Sequence, residues 1–104
     1  MRRPDVVNKI KQVALAMKPH IKTILYGSEA RGDARPDSDI DLLVLVDSDK
    51  LNYDDKDRII APLYDIELET GILINTMIIP RKEWEERPFL TPFQYNVQKD
   101  GSIL

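Results

Sequence analysis

The chain has 104 residues, a formal charge of −3 and no cysteine. That length suits one compact domain, residues 1–104, and the composition rules out thiol catalysis, disulfides, cysteine-held zinc and a general basic surface that would attract nucleic acid. No apolar run approaches the roughly 20 residues of a membrane span, and Pro4-Asp5 directly follows Met1-Arg2-Arg3 where a signal peptide would turn apolar, so a soluble cytoplasmic protein without membrane contact is expected.

Pro4 and Asp5 suit the first turn of a helix, where a missing N–H costs little and a carboxylate favours the dipole. Val6, Ile10, Val13 and Met17 recur at helical spacing, and Pro19 stops the pattern. Ile21 to Tyr26 is short and rich in β-branched and aromatic residues, which predicts a strand ending at Gly27. Ile40 to Val46 is almost wholly apolar, the pattern of a strand covered on both faces; Asp47-Ser48-Asp49 ends it. Asp54 to Thr70 has helical spacing through Ile59, Leu63 and Ile66. Pro62 inside it predicts either a kink or the start of a second helix, and Gly71 suits the C-terminal cap. Ile72 to Ile79 reads as a third strand closed by Pro80, Arg81 to Arg87 as a short helix, and Phe93 to Lys99 as another. This order predicts an α/β chain of the α+β type, with a small mixed sheet backed by helices.

Chemistry concentrates in two places. In a strand, Asp39 and Asp41 point to the same side, their backbones roughly 6.6–7 Å apart. Two ionised carboxylates that close repel, and a divalent cation removes the penalty. Oxygen ligands favour magnesium or manganese, and magnesium takes one or two carboxylates and completes its shell with water and phosphate. The second place is Tyr26-Gly27-Ser28-Glu29-Ala30-Arg31-Gly32. Gly27 permits unusual backbone angles and close approach, Ser28 adds a hydroxyl and an amide, and a short helix opening over Ser28 to Arg31 would favour phosphate. Arg31 could add a charge-assisted contact. An anion cradle beside a metal pair suits phosphoryl or nucleotidyl transfer.

The chain closely resembles the minimal nucleotidyltransferases of the DNA polymerase beta superfamily. The pattern is Gly-Ser, ten residues, then Asp-x-Asp, met by Gly27-Ser28 and Asp39-Ile40-Asp41; the longer wording runs from Gly27 to Val44. The resemblance implies the nucleotidyltransferase fold, two magnesium ions on Asp39 and Asp41, and Gly27 and Ser28 holding the β- and γ-phosphates of a nucleoside triphosphate. The implied reaction joins a nucleoside monophosphate, AMP from ATP, to an acceptor hydroxyl and releases pyrophosphate. The implied partner is a helical protein of the HEPN type, as toxin or substrate. Larger relatives carry an added acceptor domain, for which 104 residues leave no space.

One departure stands out. Active members add a third carboxylate from a later strand, and Ile72 to Ile79 contains no acid. Counted from Gly71, its place falls near Leu73. Asn75 could ligate weakly through its amide oxygen but is no general base. Asp65, Glu67 and Glu69 lie on the predicted helix. A second reading is therefore an antitoxin-like subunit that binds nucleotide with weak catalysis or none; a third is a self-associating regulatory domain, a homo-oligomer.

Plainer roles stand beside these. An EF-hand from Asp37 fails because Leu42 stands where glycine is needed and Ser48 where glutamate is. A Walker-type loop fails for want of Gly-Lys-Ser/Thr. Ser28 could simply cap a helix, and Arg31 could pair with Asp33, Asp37 or another acid. Asp37 reads as a solvated loop acid or an outer partner of the metal pair. His20 fits strand entry. Trp84 packs against the sheet edge or anchors a partner, and Phe89, Phe93 and Tyr95 cover the core or form an interface. The acids from Asp47 to Asp57 read as a solvated loop and helix start.

Overall fold

A computed structural model describes residues 3–17, 21–35, 37–47, 53–86 and 91–104. Pro19, His20, Ser48, Asp49, Arg87 and Phe89, each given a role above, lie outside the described residues. Helix α1 spans Pro4–Met17, with Asp5 in its first turn and Val6, Val7, Ile10 and Ala14 buried. Strand β1, Ile21–Tyr26, leads straight into the short helix α2, Gly27–Arg31. Strand β2 is Ile40–Val46, and Leu42 through Val46 are all buried, as a strand covered on both faces should be. Helix α3 runs unbroken over Tyr53–Thr70 with Pro62 inside it, so the proline starts no second helix. It forgoes one backbone bond there, and buried Ile59, Leu63 and Ile66 anchor it on either side. Gly71 follows at φ +73°, its N–H bonded to the Glu67 carbonyl at 2.8 Å.

Strand β3 is Ile74–Pro80, two residues later than its apolar run suggests. Helix α4 covers Arg81–Glu85 and helix α5 Pro92–Asp100, the latter capped by Thr91 Oγ1 accepting from the Gln94 N–H at 3.1 Å. A last strand, β4, Ser102–Ile103, is invisible in the sequence pattern because it is two residues long. It pairs antiparallel with β1, and the Leu104 N–H extends the pairing to the Thr23 carbonyl.

The sheet has the order β3-β2-β1-β4, with β1 antiparallel and β3 parallel to β2. This is the mixed sheet expected from the element order. Alternation along β2 divides its side chains between two cores. Ile40, Leu42, Val44 and Val46 join the larger, under α1 and α3. Leu43 and Leu45 join the smaller, with Ile24, Ile79, Trp84 and Val97, and Tyr26 and Phe93 pack against it. Trp84 is therefore a core residue: it meets the Phe93 ring edge-on at 5.9 Å, and its carbonyl accepts from Gln94 Nε2 at 3.2 Å. Phe93 also covers core, while Tyr95 is exposed. No helix among the described residues is long and apolar enough to cross a membrane.

Candidate active site

β1 and β2 pair so that Tyr26 lies opposite Asp41, and β2 and β3 pair so that Asp41 lies beside Asn75. Partners on adjacent strands share a face, so Tyr26, Asp41 and Asn75 stand together, with Asp39 one strand period away. One atom ties the group together. Asn75 Nδ2 donates to Asp39 Oδ2 at 3.1 Å and to Asp41 Oδ1 at 3.2 Å. Both carboxylates thus converge on a single point.

Gly27 begins α2 directly above Asp41. Its φ is +77°, and a Cβ there would stand 2.5 Å from Asp41 Oδ2. Only glycine meets both demands: the left-handed backbone and the clearance. The turn and Asp41, fourteen residues apart in sequence, are in contact in space.

Ser28 is the second residue of α2, not its cap. The cap position belongs to Tyr26 in extended backbone, and no side chain caps this helix end. The Ser28 carbonyl accepts from Gly32 and Asp33, both at 3.0 Å, which closes α2 with Gly32 at φ +84°. Arg31 sits at the far end of α2 from Gly27. Its Nε is 3.2 Å from Asp33 Oδ2 and its guanidinium 3.8 Å from Asp100 Oδ2. The structure therefore places Arg31 in an ion-pair cluster with α5 and not against the two aspartates. Asp37 is exposed and Ser38 Oγ accepts from the Arg35 N–H at 2.9 Å.

Glu29 was singled out by no motif, yet it is fully buried beneath the turn. Its Oε1 meets Arg3 Nε at 2.6 Å and its Oε2 accepts from the Arg3 N–H at 3.1 Å. This pair fastens α2 to the start of α1. Tyr26 stacks edge-on with Phe93 at 5.4 Å. Burial, and then the charge of Asp41, push its phenol pKa above the usual value.

The place for a third acid needs correction. It is Asn75, not Leu73, that stands beside Asp41. Residues 71–73 form an irregular connection before β3 begins, so counting from Gly71 as if strand followed at once falls two residues short. Leu73 lies at the rim, its carbonyl accepting from the Ile40 N–H at 2.9 Å. Of the helix acids, Asp65 is exposed, and Glu67 and Glu69 are engaged elsewhere. Glu67 Oε1 accepts from the Ile74 N–H at 2.7 Å, and Glu69 pairs with Lys9. Among the described residues, no group of three acids, histidines or cysteines assembles here or anywhere else.

The family that this geometry points to is found by comparison as well. The nucleotidyltransferase domain family matches residues 7–101. The chain belongs to that family. A Methanocaldococcus jannaschii relative, named as a candidate protein adenylyltransferase, is 35% identical over 83 residues, covering 80% of this chain and 76% of its own. Among solved structures, a toxin–antitoxin complex with AMP-PNP matches at TM-score 0.61 and 20% identity, over 92% of this chain and 69% of the other. A mutant of the MntA–HpeT toxin–antitoxin matches at TM-score 0.59 and 21% identity, over 94% and 70%. These two likenesses establish a shared fold.

The residues present suit a hard divalent cation. Two convergent carboxylates offer oxygen ligands only, and the missing Cβ of Gly27 lets the Asp41 carboxylate stand close against the turn.

Proposed function

We propose that this nucleotidyltransferase moves AMP from ATP to an acceptor hydroxyl on a partner protein and releases pyrophosphate. The observation that carries the reading is the meeting of the Gly27 turn with a carboxylate pair close enough for one nitrogen to reach both acids. Asp39 and Asp41 would hold magnesium, or manganese in its place. Such an ion, when bound, neutralises phosphate charge and polarises the reacting oxygens. The Gly27-Ser28 backbone would receive the β- and γ-phosphates, a reading supported by the helix end that no side chain caps. Arg31, half-exposed and paired with Asp33 and Asp100, would assist through the guanidinium protons those pairs leave over.

In the reaction the acceptor oxygen bonds to the α-phosphorus and the bond from that phosphorus to the bridging oxygen breaks. Pyrophosphate carries away the electron pair and the hydroxyl proton passes to solvent, since among the described residues no further carboxylate joins the pair. A protein acceptor is supported by the name of the archaeal relative, and a partner protein by the toxin–antitoxin neighbours; a helical HEPN type for that partner rests on the family resemblance alone. ATP-dependent modification of a partner fits a cytoplasmic setting.

Asn75 favours a second reading: an antitoxin-like subunit that binds nucleotide and partner with little turnover, because an amide cannot take the acceptor proton. Incubation with magnesium, α-labelled ATP and the cognate partner separates the two. Label on the partner and pyrophosphate release, both lost in Asp39→Asn, support transfer. Triphosphate binding without label on the partner supports the second reading, and transfer undiminished in Asp39→Asn overturns the assignment of the pair.

A further inference from the structure

A primary amide has two opposite ends. Nδ2 offers two protons and no lone pair for a cation, whereas Oδ1 offers two lone pairs and no proton. In this chain Nδ2 faces both acids. Its protons bind the two carboxylates together without neutralising them, so two negative charges remain side by side. The nitrogen takes one oxygen of each acid, Asp39 Oδ2 and Asp41 Oδ1, and leaves Asp39 Oδ1 and Asp41 Oδ2 outside the staple.

We propose that Asn75 is an amide switch on the metal site. Its NH2 group staples Asp39 to Asp41 before a divalent cation arrives; a half-turn of the amide then presents Oδ1 as a third, neutral oxygen ligand. The inference rests on Asp39 and Asp41 being the cation's ligands. The last side-chain torsion of asparagine is broad and nearly two-fold, so exchanging nitrogen for oxygen needs little other movement. β3 is an edge strand and the Asn75 side chain is exposed, so no packed neighbour must yield. The staple has a use of its own: it holds both acids converged, so little ordering remains when the ion binds. The charge balance is consistent, since two carboxylates and one neutral oxygen match a single divalent ion. Any further cation would have to be balanced by the triphosphate.

The experiment is titration of the 15N-labelled protein with Mg2+, following side-chain amide resonances, together with Mn2+ binding measured by EPR. The Asn75 resonance is identified by its loss in Asn75→Ala. A ligand role predicts that Mg2+ moves this resonance to saturation. It also predicts that Mn2+ binds Asn75→Ala about tenfold more weakly and Asn75→Asp at least about tenfold more tightly, the scale on which ligand count and charge tune a cation site. Mn2+ binding to Asn75→Ala as tight as, or tighter than, to the parent would overturn the switch, because the amide would then only obstruct the acids. An unmoved Asn75 resonance at saturating Mg2+ would overturn it too. Loss of Mn2+ binding in Asp41→Asn keeps the underlying metal reading intact in either case. Unchanged affinity in Asp41→Asn removes that reading, and the switch with it.

Discussion

On one side of β2, Ile40, Leu42, Val44 and Val46 lie in a large apolar core under α1 and α3. On the other side Asp41 shares its face with Leu43 and Leu45, whose smaller cluster under α4 and α5 stops short of the acids. The same seven-residue strand is thus a scaffold on one face and a reactive surface on the other. Alternation lets charge and core occupy neighbouring positions without sharing an environment. Stability and chemistry should therefore separate residue by residue.

Exchanging neighbours is the strongest way to break that separation. Asp41→Asn should lower nucleotidyl transfer by more than about a hundredfold, beyond the cost of losing a hydrogen-bond partner of a metal ligand. Its melting temperature should move by less than about 4 °C, which at this size is about 1 kcal/mol or under. Calorimetry and a pyrophosphate assay on one preparation check both. Leu42→Ala, one residue away, should do the reverse. It empties a fully buried site in the larger core and should cost about 2–5 kcal/mol in denaturant unfolding, with Mn2+ affinity unchanged well below the transition.

Glu29 should blur the boundary. Glu29→Ala leaves Arg3 without its buried carboxylate partner and should cost about 3 kcal/mol. Because the pair fastens α2, triphosphate affinity should fall along with stability, as measured by titration with AMP-PNP. Gly27→Ala crosses the boundary on a smaller scale. The left-handed backbone costs about 1–2 kcal/mol with a Cβ present, and that Cβ displaces Asp41 Oδ2. Weaker Mn2+ binding with only a modest fall in melting temperature is expected.

The smallest effect is a titration. Tyr26 holds its proton more tightly when folded, owing to burial and then to Asp41. The folded state therefore binds more protons than the unfolded one above about pH 10, and stability falls as pH rises through that range. Tyr26→Phe should flatten the decline in melting temperature above pH 10, and phenol absorbance should show the delayed ionisation.

Much of this architecture was legible from periodicity alone. α1, β1 and β2 are bounded by strong punctuation, Pro4 and Asp5, Gly27, and the polar run ahead of Ile40, and their limits agree with the apolar pattern. Pro62 was ambiguous because a proline's local cost cannot be weighed against tertiary anchors still unknown. β4 carries no pattern; only pairing with β1 makes Ser102 and Ile103 a strand. At the site, the position of Asp39 and Asp41 on one face followed from spacing. Of the partners of Arg31, Asp33 follows from spacing, whereas Asp100 does not, since it is distant in sequence and reaches Arg31 only through the fold. The rung of Asn75 depended on where β3 begins, and no local signal within residues 71–73 marks that start.

The opposition of Tyr26 and Asp41 across β1 and β2 has a consequence for the connection between them. What holds the bend against the acid is the ladder, not the length of chain joining the two strands. The stretch after Gly32 returns the chain to β2, where the bend is already pinned by the pairing of the two strands. A change of residue at exposed Asp37 would leave the reacting atoms where they are.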